Sequence, residues 1–186
     1  MDYRQFWNSI NQKNDEVITL YANYRAEYSD ITSWQFWMII FTLILPLVIL
    51  IFTVDRRRIF ELFFYGYTVH IMSTYIDMVL GRKNLLIHNY FIFSALPNAI
   101  NITASVIPVV YLLLYQYCTN KGKNFYLYSV ITGLLLTYGL TTFNEAIGLV
   151  TLSNGMTKFY IFLLGIVVTY LAYWFTRLMK KIENRL

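Results

Sequence analysis

The chain has 186 residues, of which 58% are hydrophobic and 13% charged, with a mean hydropathy of +0.48. Soluble domains carry about 25% charged residues, so this composition excludes an ordinary water-soluble core and points to a polytopic membrane protein. The net charge of +5 does not mark a nucleic-acid binder, because the basic residues fall in short clusters between apolar runs, where they set orientation and meet anionic headgroups.

Tyr and Phe are abundant (17 and 14), and such rings favour bilayer interfaces. One cysteine, Cys118, permits no intramolecular disulfide and has no zinc or redox motif around it. The first 33 residues lack a continuous apolar core segment after a basic start, so no cleavable signal peptide is expected.

Residues 1–33 are read as an extracytoplasmic amphipathic segment, helical over 3–28. Tyr3, Trp7, Ile10, Asn14, Val17, Tyr21, Tyr24 and Tyr28 recur at spacings of four and three, a heptad seam. At about 1.5 Å per residue the helix would be roughly 39 Å long. Asn14 at a seam position could fix a parallel homo-oligomer through this helix. However, the flanking positions hold Phe6, Ile18 and Leu20 instead of paired charges. That favours a helix lying at headgroup level or packing on the protein's own bundle.

The rest, 34–186, is read as an all-α bundle of five transmembrane helices: Trp34–Val54, Ile59–Leu80, Leu96–Cys118, Phe125–Val150 and Phe159–Leu178. Each has at least ~20 residues, enough to cross ~30 Å of hydrocarbon, where backbone groups must be satisfied within the segment. Pro46 is a candidate kink in the first. Arg56, Arg57, Arg58, Lys121, Lys123, Arg177, Lys180, Lys181 and Arg185 fall on one side, nine of the 15 basic residues. The positive-inside rule then places the N-terminus outside and the C-terminus inside. Residues 81–95 (GRKNLLIHNYFIFSA) are too apolar for a free loop and are expected to lie in the outer interface or dip into the bundle as a lid. No internal repeat of the transporter kind is seen.

Trp34-Gln35-Phe36-Trp37, Pro46, the Asp55-Arg56-Arg57-Arg58 turn, the acid near the end of the second span, Pro108-x-x-Tyr111 and Tyr115-Gln116-Tyr117 form a recognisable pattern. From about residue 20 onward the chain resembles a family of small five-helix membrane proteins, functionally uncharacterised, common in spore-forming Bacillota. The resemblance implies a bacterial cytoplasmic membrane; it brings no activity and no catalytic residues.

Polar groups inside the apolar runs are the best functional signal, because a charged side chain at the bilayer centre costs roughly 2.5–3.5 kcal/mol. His70, Asp77, Asn98, Asn101 and Glu145 are such groups. Helix rise puts Asp77, Asn98, Asn101 and Glu145 within about two turns of the outer surface, with His70 deeper. His70, Ser73, Thr74 and Asp77 share one helical face, and Tyr138, Thr141, Thr142 and Glu145 another. Each residue alone reads more readily as a packing residue, with cross-helix couplings averaging about 0.6 kcal/mol. Together they predict a polar pocket in the outer leaflet. Two close carboxylates there would raise one another's pKa. His88 could join Asp77, His70 and Glu145 as a metal ligand, but no ligand spacing such as HxxxH supports it, and no metal or cofactor is expected. Arg57 and Glu61 are spaced to pair at i, i+4. The leading expectation is a ligand- or partner-binding membrane protein. A membrane-embedded enzyme acting on a lipid or isoprenoid, and an oligomeric transporter or channel subunit, are the alternatives.

Overall fold

The computed structural model describes residues 2–183; Arg185, counted above with the basic residues, lies outside the described residues. Six helices succeed one another: α1 Tyr3–Tyr28, α2 Trp34–Thr53, α3 Ile59–Arg82, α4 Ile102–Lys121, α5 Phe125–Ala146 and α6 Lys158–Glu183. Helices α2, α4, α5 and α6 are long and apolar enough to cross a membrane. Their outward surfaces are apolar too: Phe52 is 83% and Phe60, on α3, 90% exposed. Such faces have no favourable place in water.

Helix α3 is less apolar, with Glu61, His70, Ser73, Thr74 and Asp77 along it, and it is packed against protein on several sides. It packs on α4 and α6. Polar groups in an apolar helix are tolerated where they face protein. The α3–α4 crossing is tight: a Cβ at Gly66 would lie 2.7 Å from Leu112 Cδ1. Around it Leu62, Tyr65, Val69, Leu112 and Tyr115 form the core, and Tyr65 stacks on Tyr115 with centroids 4.6 Å apart.

One end of the bundle, the basic end, is closed by a charge network. Glu61 accepts from Arg58 Nη2 (2.8 Å), Lys180 Nζ (2.8 Å) and the Tyr115 hydroxyl (2.5 Å), which ties α3 to α4 and α6. Glu61 thus pairs at i, i+3 with Arg58, and not with Arg57 as its spacing suggested. Arg57 N–H instead donates to Asp55 Oδ1 (3.0 Å) in the short 3-10 turn Arg56–Arg58. Hydrogen bonding to Glu61 raises the pKa of the Arg58 guanidinium. Arg58 also reaches Thr119 and Asn120. Gln116 bridges the α2–α3 turn, accepting from Asp55 N–H (2.8 Å) and donating to the Thr53 carbonyl (2.9 Å). Gly122, in the left-handed region at φ +60°, ends α4.

The opposite end carries the only two strands among the described residues. β1 (Leu86–His88) and β2 (Val150–Leu152) pair antiparallel, Leu86 with Leu152, Ile87 with Thr151 and His88 with Val150. The connections after α3 and α5 are thereby joined. Asn89 Nδ2 adds bonds to the Gly148 carbonyl (2.9 Å) and Thr151 Oγ1 (3.0 Å). The sequence run predicted as one helix to Val150 therefore stops at Ala146. Gly148, at φ +76°, turns the chain and Val150 enters the ladder. Likewise the run predicted to begin at Leu96 becomes helical only from about Ile100, opening on a π turn at Ile102–Val106, after the turns around Pro97 and Asn98.

Helix α1 buries none of its residues, and its seam meets the rest of the protein only around Tyr21 and Tyr24. Only its C-terminal end is attached. Ser29 Oγ donates to the Phe91 carbonyl and accepts from the Phe91 N–H (both 3.1 Å), and Arg25 Nε donates to the Ile92 carbonyl (2.6 Å). Phe91, 2% exposed, is flanked by the rings of Tyr21 and Tyr24 at 5.8 and 6.1 Å. Residues 81–95 are thus an ordered cover, held by β2 on one side and α1 on the other.

Candidate functional site

Under that cover lies a cavity of about 170 Å³. For comparison, an engineered apolar cavity of about 150 Å³ binds benzene. Helices α3, α4, α5 and α6 form its sides, and Leu86, His88, Tyr90, Leu149 and Val150 close it from the ladder end. Its wall is mostly apolar, with polar interruptions at Ser73, Asp77, Asn101, Thr103, Thr137, Thr141, Asn144 and Thr169.

Two π-helical turns face this cavity. In α4 the turn spans Ile102–Val106, and Ile102 and Thr103 line the wall. Its origin is Pro108. In the π register the Ile107 N–H bonds the Ile102 carbonyl, and the Thr103 carbonyl would look to residue 108. Proline has no N–H to offer. His70 fills the gap: its Nδ1 lies 2.9 Å from the Thr103 carbonyl, and Thr74 Oγ1 lies 3.3 Å from the same nitrogen. Nδ1 therefore carries the hydrogen. His70 lies behind the wall, holding α3 to the widened turn of α4.

The second π turn, Leu135–Leu140 in α5, supplies Leu136, Thr137 and Leu140 to the wall, followed by Thr141 and Asn144. This lining face is one residue, about 100°, away from the Tyr138–Thr141–Thr142–Glu145 face expected from the sequence. Glu145 is consequently not a wall residue. Its Oε2 lies 2.8 Å from Lys158 Nζ, an ion pair that links α5 to the start of α6. The two carboxylates, Asp77 and Glu145, do not share the cavity.

Asp77 is the charged group that does face it. It is 7% exposed, and its Oδ1 accepts from His88 Nε2 at 2.8 Å. With the carboxylate ionised, Nε2 carries the hydrogen. Its second oxygen, Oδ2, has no hydrogen-bond partner among the described residues. Buried polar groups are nearly always paired, so an unmet carboxylate oxygen at a cavity calls for an explanation.

Asn101 joins Asp77 in the wall. Its Nδ2 donates to Thr42 Oγ1 (2.8 Å), and Ser105 Oγ donates to the Leu43 carbonyl (2.6 Å), both onto α2 just before Pro46, where the helix loses a donor. Asn98 stands outside the wall in the turn before α4, with a buried Nδ2 that has no partner among the described residues. Of the five residues singled out from sequence, Asp77 and Asn101 meet in the cavity, His70 supports it, and Asn98 and Glu145 lie apart from it.

His88 was legible only as a histidine in an apolar connection. Thr137 and Asn144 carried no signal, since their selection depends on how α5 is rotated. Among the described residues no three His, Cys, Asp or Glu side chains converge as metal ligands. No family model, curated protein or solved structure matches the chain.

Proposed function

We propose that the chain is an integral membrane protein that holds a small amphiphilic molecule in this cavity, beneath a cover formed by residues 81–95 and the β1–β2 ladder. The observation that carries the reading is the buried Asp77 carboxylate, half satisfied by His88, in the wall of a mostly apolar pocket. A purely structural acid at such a site would be expected to have both oxygens met. Cavities of this kind, apolar with a few convergent polar groups, are the usual form of ligand sites.

In this reading α3, at 24 residues or about 36 Å, is a fifth span. The basic end faces the cytoplasm by the positive-inside rule, which sets the N-terminus and the cavity outside, in the outer leaflet of a bacterial cytoplasmic membrane. Helix α1 lies along the headgroups with its Tyr and Trp residues in the interface, or pairs with the α1 of a second copy through the Asn14 seam.

A second reading has one specific observation behind it. The Asp77–His88 hydrogen bond is the arrangement that orients an imidazole as a general base, and Ser73 and Thr141 share the same wall. A lipid-directed enzyme would use it so. Gly165 offers the test of the pocket common to both readings. It lines the cavity, and a Cβ there would meet nothing within 4 Å, so Gly165→Leu has room to start its side chain and is expected to fill part of the cavity. Native mass spectrometry of the wild type is expected to show a retained small molecule that Gly165→Leu lacks. Identical spectra for both would refute the pocket, and conversion of the retained molecule on incubation would favour the enzyme.

A further inference from the structure

We infer that the molecule taken by this cavity carries a cationic head, a primary or secondary ammonium, on an apolar body, with the head on Asp77; this rests on the cavity being a binding pocket. The argument is one of charge and unmet bonds. Asp77, His88, Tyr90 and Tyr111 are the only ionisable side chains in the wall, and no Lys or Arg contributes to it. Of the cations at this end, Lys158 pairs with Glu145 and Arg25 donates to the Ile92 carbonyl, while Arg82 and Lys83 are exposed and do not line the wall. His88 meets one carboxylate oxygen by donating Nε2–H, and the other is left without a donor.

An ammonium supplies the missing donor and brings a full positive charge against the carboxylate. An alcohol supplies only the donor. A carboxylate or phosphate head supplies neither and would sit beside a buried like charge. This sets the class against fatty acids and anionic lipid heads. The pocket itself, slightly larger than a cavity that holds benzene, takes roughly six carbons, and a longer body would run out through its open side. Ile76, Leu80, Leu136, Leu140, Leu164 and Val168 provide its apolar contacts.

The test uses three probes of one length, hexylamine, hexan-1-ol and hexanoate, titrated by calorimetry onto the full chain in lipid nanodiscs, with protein-free nanodiscs as the partition control. A hydrogen bond to a charged group predicts that hexylamine binds about 10- to 100-fold tighter than hexanol, with hexanoate weakest. Asp77→Asn keeps the shape and an acceptor for His88, and is expected to reduce hexylamine to the level of hexanol while leaving hexanol unchanged. Should the variant fail to fold, the ranking of the three probes on the wild type decides alone. Hexanol binding as well as hexylamine would overturn the cationic head and leave the pocket standing. Blockage by Gly165→Leu of a probe that binds the wild type locates that probe in the cavity. If none of the three binds the wild type, the head assignment falls, and an absence of any retained molecule in the native spectra then removes the pocket as well.

Discussion

Removing His88 should cost more than losing one hydrogen bond, because it strands a charge. Asp77 is 7% exposed and has one oxygen already without a partner; His88→Ala leaves both oxygens without one. Leaving a buried carboxylate without its hydrogen-bond donor costs about 3–5 kcal/mol. Water entering the cavity beside Asp77 would return part of this, about 1–2 kcal/mol, so the net loss is expected near 2–3 kcal/mol. In an Asp77→Asn background no charge is stranded, and His88→Ala should cost only about 1 kcal/mol. The coupling is then about 1–2 kcal/mol. It can be read from a double-mutant cycle on reversible unfolding in mixed micelles, followed by helical circular dichroism. If His88→Ala costs the same in both backgrounds to within about 0.5 kcal/mol, the two groups act independently and the reasoning fails.

Three further perturbations address the parts that hold the cavity in place. Gly66→Ala puts a methyl 2.7 Å from Leu112 Cδ1, an overpacking cost of about 1–3 kcal/mol offset by about 1 kcal/mol of helix propensity, so a net loss of about 0–2 kcal/mol is expected, turning to a gain in a Leu112→Ala background in the same unfolding assay. Glu61→Gln removes the shared acceptor of Arg58, Lys180 and Tyr115. A loss of about 2–3 kcal/mol is expected, with ligand retention unchanged because the network sits at the far end of the bundle. Ser29→Ala strips both hydrogen bonds from the Phe91 backbone, so amide exchange at residues 90–93 should speed up by about 10-fold or more; unchanged protection would mean that α1 does not hold the cover.

An all-helical bundle with long apolar helices was legible from composition and run length, because a lipid environment leaves the backbone little other choice. The ladder was not. Leu86-Ile87-His88 and Val150-Thr151-Leu152 are short apolar runs that read equally as loop or helix end, and their pairing depends on two connections far apart in sequence meeting at one end of the bundle. Site residues divided in the same way. Asp77 and Asn101 announced themselves as polar groups in apolar runs, whatever the rotation of their helices. His70 announced itself for the same reason, but its partner is a backbone carbonyl orphaned by Pro108, a need visible only once the π turn is known. Glu145 was misplaced relative to the cavity because helical periodicity groups residues into faces without saying which face points inward. Its pairing with Lys158 across a connection settles that.

The most direct measurement is a density map of the protein in a lipid environment, from lipidic-mesophase crystals or a fiducial-bound particle. Density not belonging to the chain is predicted between Asp77, Asn101 and Leu164, closed over by His88 and the β1–β2 ladder, with its polar end within hydrogen-bond distance of Asp77 Oδ2. A cavity collapsed by repacking of α5 against α3, or Asp77 Oδ2 bonded to a side chain of the protein itself, would contradict it.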